Sequence, residues 1–346
     1  MKGNLKFSGP VRYRFGSAAV LGKATAEVCL RRLLRRQHCP SWNLMAELST
    51  EIAKRQLFAA FQMSDVNDAR SYLDSITVDS GVISRVAISK VDEREVRGSW
   101  FVPKRTNPEV VILFLHGGGY SFYPRGFYDG LCAMLALSAK ARVFALDYPL
   151  APEHRFPAQL INAANAYEWL LATGIHPSHL VVAGDSAGGN LTLSLLLYIR
   201  DSKLPPPALA VCLSPATDFG TTTLETANAE LDWITPQMAL RWADWFCLPD
   251  ERNNPLVSPV NADLRGLPPI YIQAGGGEIL LASIQQLATE GKRQGADISL
   301  EVWPDMNHDF QAFGYDVPQS AEALRRFGEV IAERLSTVRT KTSSTL

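Results

Sequence analysis

A serine is a weak nucleophile until the chain exposes its hydroxyl and sets a base beside it. Ser186 meets the first condition. Leu180-Val181-Val182-Ala183 reads as a strand, Gly184-Asp185-Ser186-Ala187-Gly188 as a tight turn, and Asn190 to Ile199 as an apolar helix. Strand, turn and helix put the serine at an apex, at the carboxyl end of a sheet, as in the Gly-x-Ser-x-Gly nucleophile elbow. Gly184 and Gly188 flank it where the reversing chain leaves no room for a side chain. The chemistry that such a serine offers is acyl transfer.

The base is sought among six histidines. His38 lies in an N-terminal helical region. His176 and His179 flank Pro177 on the opposite side of the sheet, and His154 follows a Pro-Glu turn. His116 opens a glycine run and is expected to brace it. His308 alone follows a late core strand at the catalytic edge and is the expected base. An orienting carboxylate must hold its tautomer and stabilise the imidazolium. Glu278 ends the preceding core strand, giving the chain order serine, acid, histidine. Asp305 and Asp309 compete, but they share the His308 loop and would need a helix-like fold-back to reach the ring. The bland role for Glu278 is an acidic residue suited to the helix that starts at Ile279. The oxyanion of an acyl-transfer step also needs donors. Three glycines after a buried strand, Gly117-Gly118-Gly119, weaken the local fold without helping the core. Bare N–H groups at Gly118 and Gly119, together with Ala187, are the expected donors.

These residues need a scaffold that brings distant loops to one edge. A continuous apolar run at Val110–Leu115 and further strand-like segments at Ala141–Leu146, Leu180–Ala183, Leu209–Leu213, Pro269–Ala274 and Ile298–Trp303 alternate with helical segments. Such alternation implies an α/β fold, a mostly parallel central sheet with helices on both faces. Its ligand site lies beyond the carboxyl ends of the strands, where His116, Ser186, Glu278 and His308 all fall. Val82–Ile88 and Glu95–Val102 are expected to form an antiparallel pair ahead of it.

The organisation expected is an N-terminal helical cap region over 1–75 and a core over 76–215 and 259–337. A cap insertion occupies 216–258, and a flexible tail 338–346. The insertion holds Trp233, Trp242, Trp245 and Phe246, which pack and also wall the pocket. Ala18 to Gln37 carries apolar residues near helical spacing, interleaved with Arg31, Arg32, Arg35 and Arg36. A basic amphipathic helix lying on a membrane fits that pattern. The preferred reading is an arginine face turned to solvent on a packed helix.

Bulk properties exclude other classes. The chain has 346 residues, 47% hydrophobic and 20% charged, with net charge −1. That balance favours neither nucleic acid nor an anionic surface as a bulk partner. Five scattered cysteines without CxxC spacing suggest reduced thiols and a cytoplasmic location. No His/Cys/Asp cluster has metal-ligand spacing, and neither a secretory signal nor an apolar run long enough for a transmembrane helix is evident.

In their order, His116-Gly117-Gly118-Gly119, Asp147-Tyr148 through Ala151-Pro152-Glu153-His154, and Gly184-Asp185-Ser186-Ala187-Gly188-Gly189 carry a resemblance. The sequence resembles the hormone-sensitive-lipase-like branch of the α/β-hydrolases, the His-Gly-Gly-Gly carboxylesterases, over about residues 77–335. The resemblance implies an α/β-hydrolase fold with a two-part helical cap and a triad of Ser186, Glu278 and His308. It also implies hydrolysis of short- to medium-chain esters without a cofactor. Three departures stand out. Pro149 replaces a customary arginine and leaves Glu153 without its usual partner. The acid is Glu278 where Asp is commoner, and Ala282 and Ser283 stand where an acidic residue often follows. The long basic N-terminal region resembles that of fungal members, some of which serve secondary metabolism.

The expected function is a serine carboxylesterase working through an acyl-serine on a small apolar ester, as a monomer or homodimer, with the edge at Ile298–Trp303 available for pairing. The alternative keeps the triad for acyl transfer, lactone hydrolysis or cyclisation in a secondary-metabolite pathway. A non-catalytic ligand receptor on the same fold is the least favoured.

Overall fold

The computed structural model describes residues 4–79, 81–93, 95–123, 125–220 and 230–343. The chain opens with strand β1 (Asn4–Phe7) and helices α1 (Val11–Leu33), α2 (Leu44–Phe61) and α3 (Val66–Leu73). Side-chain oxygens start two of these helices. Asn43 accepts from the Ala46 N–H at 2.8 Å and Asp65 from the Asn67 N–H at 2.7 Å. Strand β2 (Ile76–Asp79) returns antiparallel to β1. The helical reading of the first 75 residues omits β1, which is too short to show a period.

The arginines of α1 differ from the solvent-facing expectation. Arg31 and Arg32 turn inward, where they meet the buried Glu47 at 3.3 and 2.8 Å, and Arg31 also reaches Glu51 at 3.1 Å. Of the four arginines of the expected face, Arg31, Arg32, Arg35 and Arg36, only the last two, past the end of the helix, are exposed. Two half-buried guanidinium groups satisfy the carboxylates that α2 would otherwise bury alone.

Strands β3 (Val86–Glu93) and β4 (Val96–Pro103) form the expected antiparallel pair. β3 starts four residues late because Ile83–Arg85 closes a 3-10 turn. Then come β5 (Val111–Leu115), α4 (Arg125–Ala139), β6 (Arg142–Leu146), α5 (Ala158–Ala172), β7 (Leu180–Asp185), α6 (Ser186–Asp201) and β8 (Leu209–Leu213). Helix α7 (Pro236–Phe246) is capped by Thr235, and Pro236 occupies its first position. The core ends with β9 (Ile270–Gly275), α8 (Leu281–Arg293), β10 (Ile298–Trp303) and α9 (Pro318–Ser343).

The eight-stranded sheet runs β10-β9-β8-β7-β5-β6-β4-β3, parallel from β10 through β6. This is the mostly parallel sheet of the α/β-hydrolase fold. Every residue of β5, β7, β8 and β9 is buried, because helices cover both faces. Ile112 and Phe114 pack with α4 and α9, while Val111, Leu113 and Leu115 pack with α5 and α6. The alternation is that of a strand whose side chains point to opposite faces. β5 is followed in sequence by β6 on one side but pairs with β7 on the other. That reversal opens a crevice beyond the carboxyl ends of β5 and β7.

The expected insertion at 216–258 includes 221–229, which lie outside the described residues. Helix α9 continues to Ser343, well into the expected tail, and 344–346 also lie outside the described residues. Among the described residues, no helix is long and apolar enough to cross a membrane.

Candidate active site

β7 ends at Asp185 and α6 begins at Ser186, so the chain reverses without a spare residue. Ser186 holds φ +51°, a left-handed conformation that costs a non-glycine residue roughly 1–2 kcal/mol. Close packing enforces it. A Cβ on Gly188 would lie 1.9 Å from the Leu115 carbonyl oxygen, so only glycine lets α6 approach β5 this far.

The structure brings together the three expected residues. His308 Nε2 lies 2.8 Å from Ser186 Oγ, and His308 Nδ1 lies 3.2 Å from Glu278 Oε2. Glu278 follows β9 and His308 follows β10, so neighbouring strands deliver acid and base to the same edge. Both side chains are buried. A hydroxyl and a carboxylate on opposite ring nitrogens let the imidazole take the serine proton while the acid stabilises the imidazolium.

Sequence reasoning missed what holds this histidine. Asp232 is fully buried and accepts from the His308 N–H at 3.2 Å and the Ile279 N–H at 2.9 Å. The Trp233 indole N–H donates to the His308 carbonyl. One segment between β8 and α7 thus grips both the acid's loop and the base's loop. The available signal was a lone aspartate between Leu231, Trp233 and Ile234, which burial would force to find donors.

Asp309, weighed above as a competitor of Glu278, also reaches the ring. Its Oδ2 lies 3.2 Å from His308 Nε2, the nitrogen that faces Ser186. The expected helix-like fold-back is unnecessary, because φ +49° at Asp309 turns the chain instead. Asp305 is exposed; its carbonyl accepts the Trp42 indole N–H. Burial disfavours a charged imidazole, but Asp309 and Glu278 outweigh it and raise the His308 pKa well above the ordinary value. Burial pushes the Glu278 carboxyl up to about 7, against the lowering pull of His308.

The glycine loop is braced from below. The His116 ring lies stacked between Tyr123 and Tyr148, with centroids 3.8 and 4.0 Å away, so His116 holds the loop as expected. Asp185, inside the elbow, accepts the Gly117 N–H and the Tyr128 hydroxyl, both at 2.9 Å. Burial, reinforced by Asp309, pushes its carboxyl well above the usual range. The Gly118 carbonyl accepts the N–H groups of Ser121 and Phe122. Gly119 and Ala187 line a cavity of about 40 Å³ with Ser186, Ile234, Trp242 and Leu280. Gly119 must lack a side chain, since a Cβ there would meet the Trp242 ring at 2.7 Å.

Glu153 does find a partner, from an unexpected place. Arg70 of α3 binds it through both guanidinium nitrogens, at 2.7 and 2.8 Å. The same fork donates to the carbonyls of Ala151 and Ser121, each at 2.8 Å. A residue from the N-terminal helices thereby ties the glycine loop to the Pro152 turn, the place that Pro149 leaves without its arginine. Arg70→Ala is expected to cost about 1 kcal/mol, modest because Glu153 is partly exposed. Urea unfolding would measure it, and Arg70→Lys should not restore the loss, because a lysine lacks the fork.

Among known proteins, a family model described as "alpha/beta hydrolase fold" matches residues 112–312. An acetyl-hydrolase of Streptomyces hygroscopicus is 34% identical over 234 residues, spanning 66% of this chain and 77% of that protein. The carboxylesterase NlhH of Mycobacterium tuberculosis is 32% identical, over 67% of this chain and 75% of that protein. A crystal structure of an esterase from the bacterial hormone-sensitive lipase family superposes with a TM-score of 0.74 at 33% identity, covering 82% of this chain and 97% of that one. EstE5, soaked with p-nitrophenyl butyrate, gives a TM-score of 0.79 at 30% identity, covering 86% and 99%. The two curated relatives are bacterial, so they lend no support to the likeness of the N-terminal region to fungal proteins. On the matched model, the relatives and the superposed esterases together, this chain belongs to the α/β-hydrolase family, as an ester-hydrolysing enzyme of its hormone-sensitive-lipase-like branch.

Proposed function

We propose that the protein is a serine carboxylesterase that cleaves short- to medium-chain esters through an acyl-Ser186 intermediate. The observation that carries this reading is the 2.8 Å contact between Ser186 Oγ and His308 Nε2, with Glu278 at 3.2 Å on the other nitrogen. Ser186 attacks the ester carbonyl as His308 removes its proton. The oxyanion is stabilised by the N–H groups of Gly118, Gly119 and Ala187. His308 then protonates the leaving alcohol and activates the water that releases the acid, while Glu278 holds the ring throughout. No step of this sequence needs a metal or cofactor. Five free thiols, four of them buried, support the reducing setting of the cytoplasm.

Acyl length is set by the apolar cavity beside Ser186. Its volume of about 40 Å³ favours the short end of the range. Trp242 forms the wall over Gly119. Trp242→Ala is expected to raise the octanoate-to-acetate ratio of kcat/KM at least about tenfold, because one methylene in an apolar pocket is worth about 1–3 kcal/mol. The defining experiment is hydrolysis of p-nitrophenyl esters from acetate to palmitate, with fluorophosphonate labelling and Ser186→Ala alongside. Turnover that peaks at short chains and vanishes in the variant is expected. Labelling of Ser186 without turnover would shift the reading to acyl transfer, and a folded protein that does neither would sink it.

A further inference from the structure

Helix α1 turns an apolar face outward as well as inward. Its inward side carries Tyr13, Ser17, Ala24 and Val28, buried against α2 and α3, and the half-buried Arg31 and Arg32. Its outward side holds Val11, Phe15, Ala18, Gly22, Ala26, Cys29 and Leu33, spaced three or four apart and mostly exposed. Residues at that spacing share one face of a helix, and this face has no charge over the whole 23-residue length. Its large members are strongly exposed, with Phe15 at 73% and Leu33 at 80%, and Leu30 and Leu34 extend the patch at 55% each. Folded monomers rarely leave so continuous an apolar stripe in water.

The charges beside the stripe indicate what covers it. Arg14 and Lys23 stand exposed on α1, and Arg35 and Arg36 follow its end. The nearby acids are engaged: Asp68 by Arg12, and Glu27 by Arg31 and Arg55. A second copy packed on the stripe would set Arg14 and Lys23 against one another or against Arg35 and Arg36, whichever way the helices ran. Like charges would oppose that pairing. An anionic lipid surface satisfies both features, since acyl chains take the stripe and headgroups take the cations. We propose that α1 docks the protein on the surface of an anionic membrane, without crossing it. α1 packs on α2, and Thr50 of α2 accepts a 2.8 Å hydrogen bond from Asn307, the neighbour of His308. The docked element is therefore joined through one helix to the catalytic loop.

The test is flotation of the full chain with phosphatidylcholine vesicles that carry or lack phosphatidylserine. Binding to the anionic vesicles is expected to exceed that to the neutral ones at least about tenfold, and to weaken as salt screens the cations. Phe15→Ser with Leu33→Ser should reduce it by a similar factor. Both side chains are exposed, so turnover of a water-soluble acetate ester should stay at the wild-type level and report an intact fold. Arg14→Gln with Lys23→Gln should remove the preference for anionic vesicles. Absence of binding, or binding that ignores both variants, overturns the proposal. So does a dimer in solution that Phe15→Ser and Leu33→Ser dissociate, because a second copy would then own the stripe. The flotation and dimer outcomes do not depend on whether Ser186 turns over esters, and a circular-dichroism spectrum can stand in for turnover as the report of an intact fold.

Discussion

Ser186→Ala is expected to lower kcat for p-nitrophenyl acetate by about 10⁴- to 10⁶-fold, and the further loss of His308 to add almost nothing. The reason is geometric. Ser186 and His308 act as one unit across a 2.8 Å contact, so removing either leaves the other without a partner for proton transfer. What survives is binding in the apolar cavity and polarisation of the carbonyl by the glycine-loop donors. Glu278→Gln should cost no more than the low end of that range, about 10⁴-fold, because an amide can hold the ring in the wrong tautomer without displacing it. The double variant Ser186→Ala with His308→Ala decides the matter in single-turnover assays. A loss near the product of the two single losses would mean that the residues act separately. Thermal unfolding of Ser186→Ala should stay close to wild type, since alanine meets the same φ of +51° and leaves the elbow glycines untouched.

Much of this site was legible because its elements are punctuated. Gly184 and Gly188 bracket Ser186 between a strand and a helix, and chain order picks His308 from six histidines. Both signals are local or ordinal, and both survive without knowledge of packing. What stayed hidden needs the third dimension. Arg70 reaches Glu153 from another part of the chain, and nothing in the α3 sequence distinguishes it from a solvated arginine. Asp232 matters because burial denies it water, a condition created by loops that meet only in the fold. The arginine-rich helix misled for a related reason. Periodicity locates an amphipathic face but does not say which face turns inward, and Glu47 and Glu51 on α2 pull Arg31 and Arg32 toward the core. β1 was too short to declare itself.

Asp309 carries the second large effect, and it acts on the pH profile. His308 must be neutral to accept the Ser186 proton, so activity rises as pH climbs through its pKa. Glu278 sits on one ring nitrogen and Asp309 on the other, each at 3.2 Å. The remaining nearby ionisable groups are Asp232, whose carboxylate accepts the His308 N–H, and Asp185 with Tyr128 beyond Asp309. The contacts thus favour the imidazolium, which raises the His308 pKa well above the ordinary value. The acid limb of kcat/KM should accordingly lie on the alkaline side of an ordinary histidine titration. Asp309→Asn keeps the size of the side chain but removes one negative charge from Nε2. The imidazolium loses that support, the pKa falls, and the limb should move to lower pH by about one unit or more. The plateau should fall as well, by about tenfold, because the introduced amide can donate to Nε2 and compete with the Ser186 hydroxyl for the same lone pair. Profiles of kcat/KM for p-nitrophenyl acetate, wild type against variant, separate the two effects. A limb that does not move would mean that Asp309 only packs beside the ring. A limb that moves downward assigns the working pH of the enzyme to a residue adjacent to its base in sequence and opposite its acid in space.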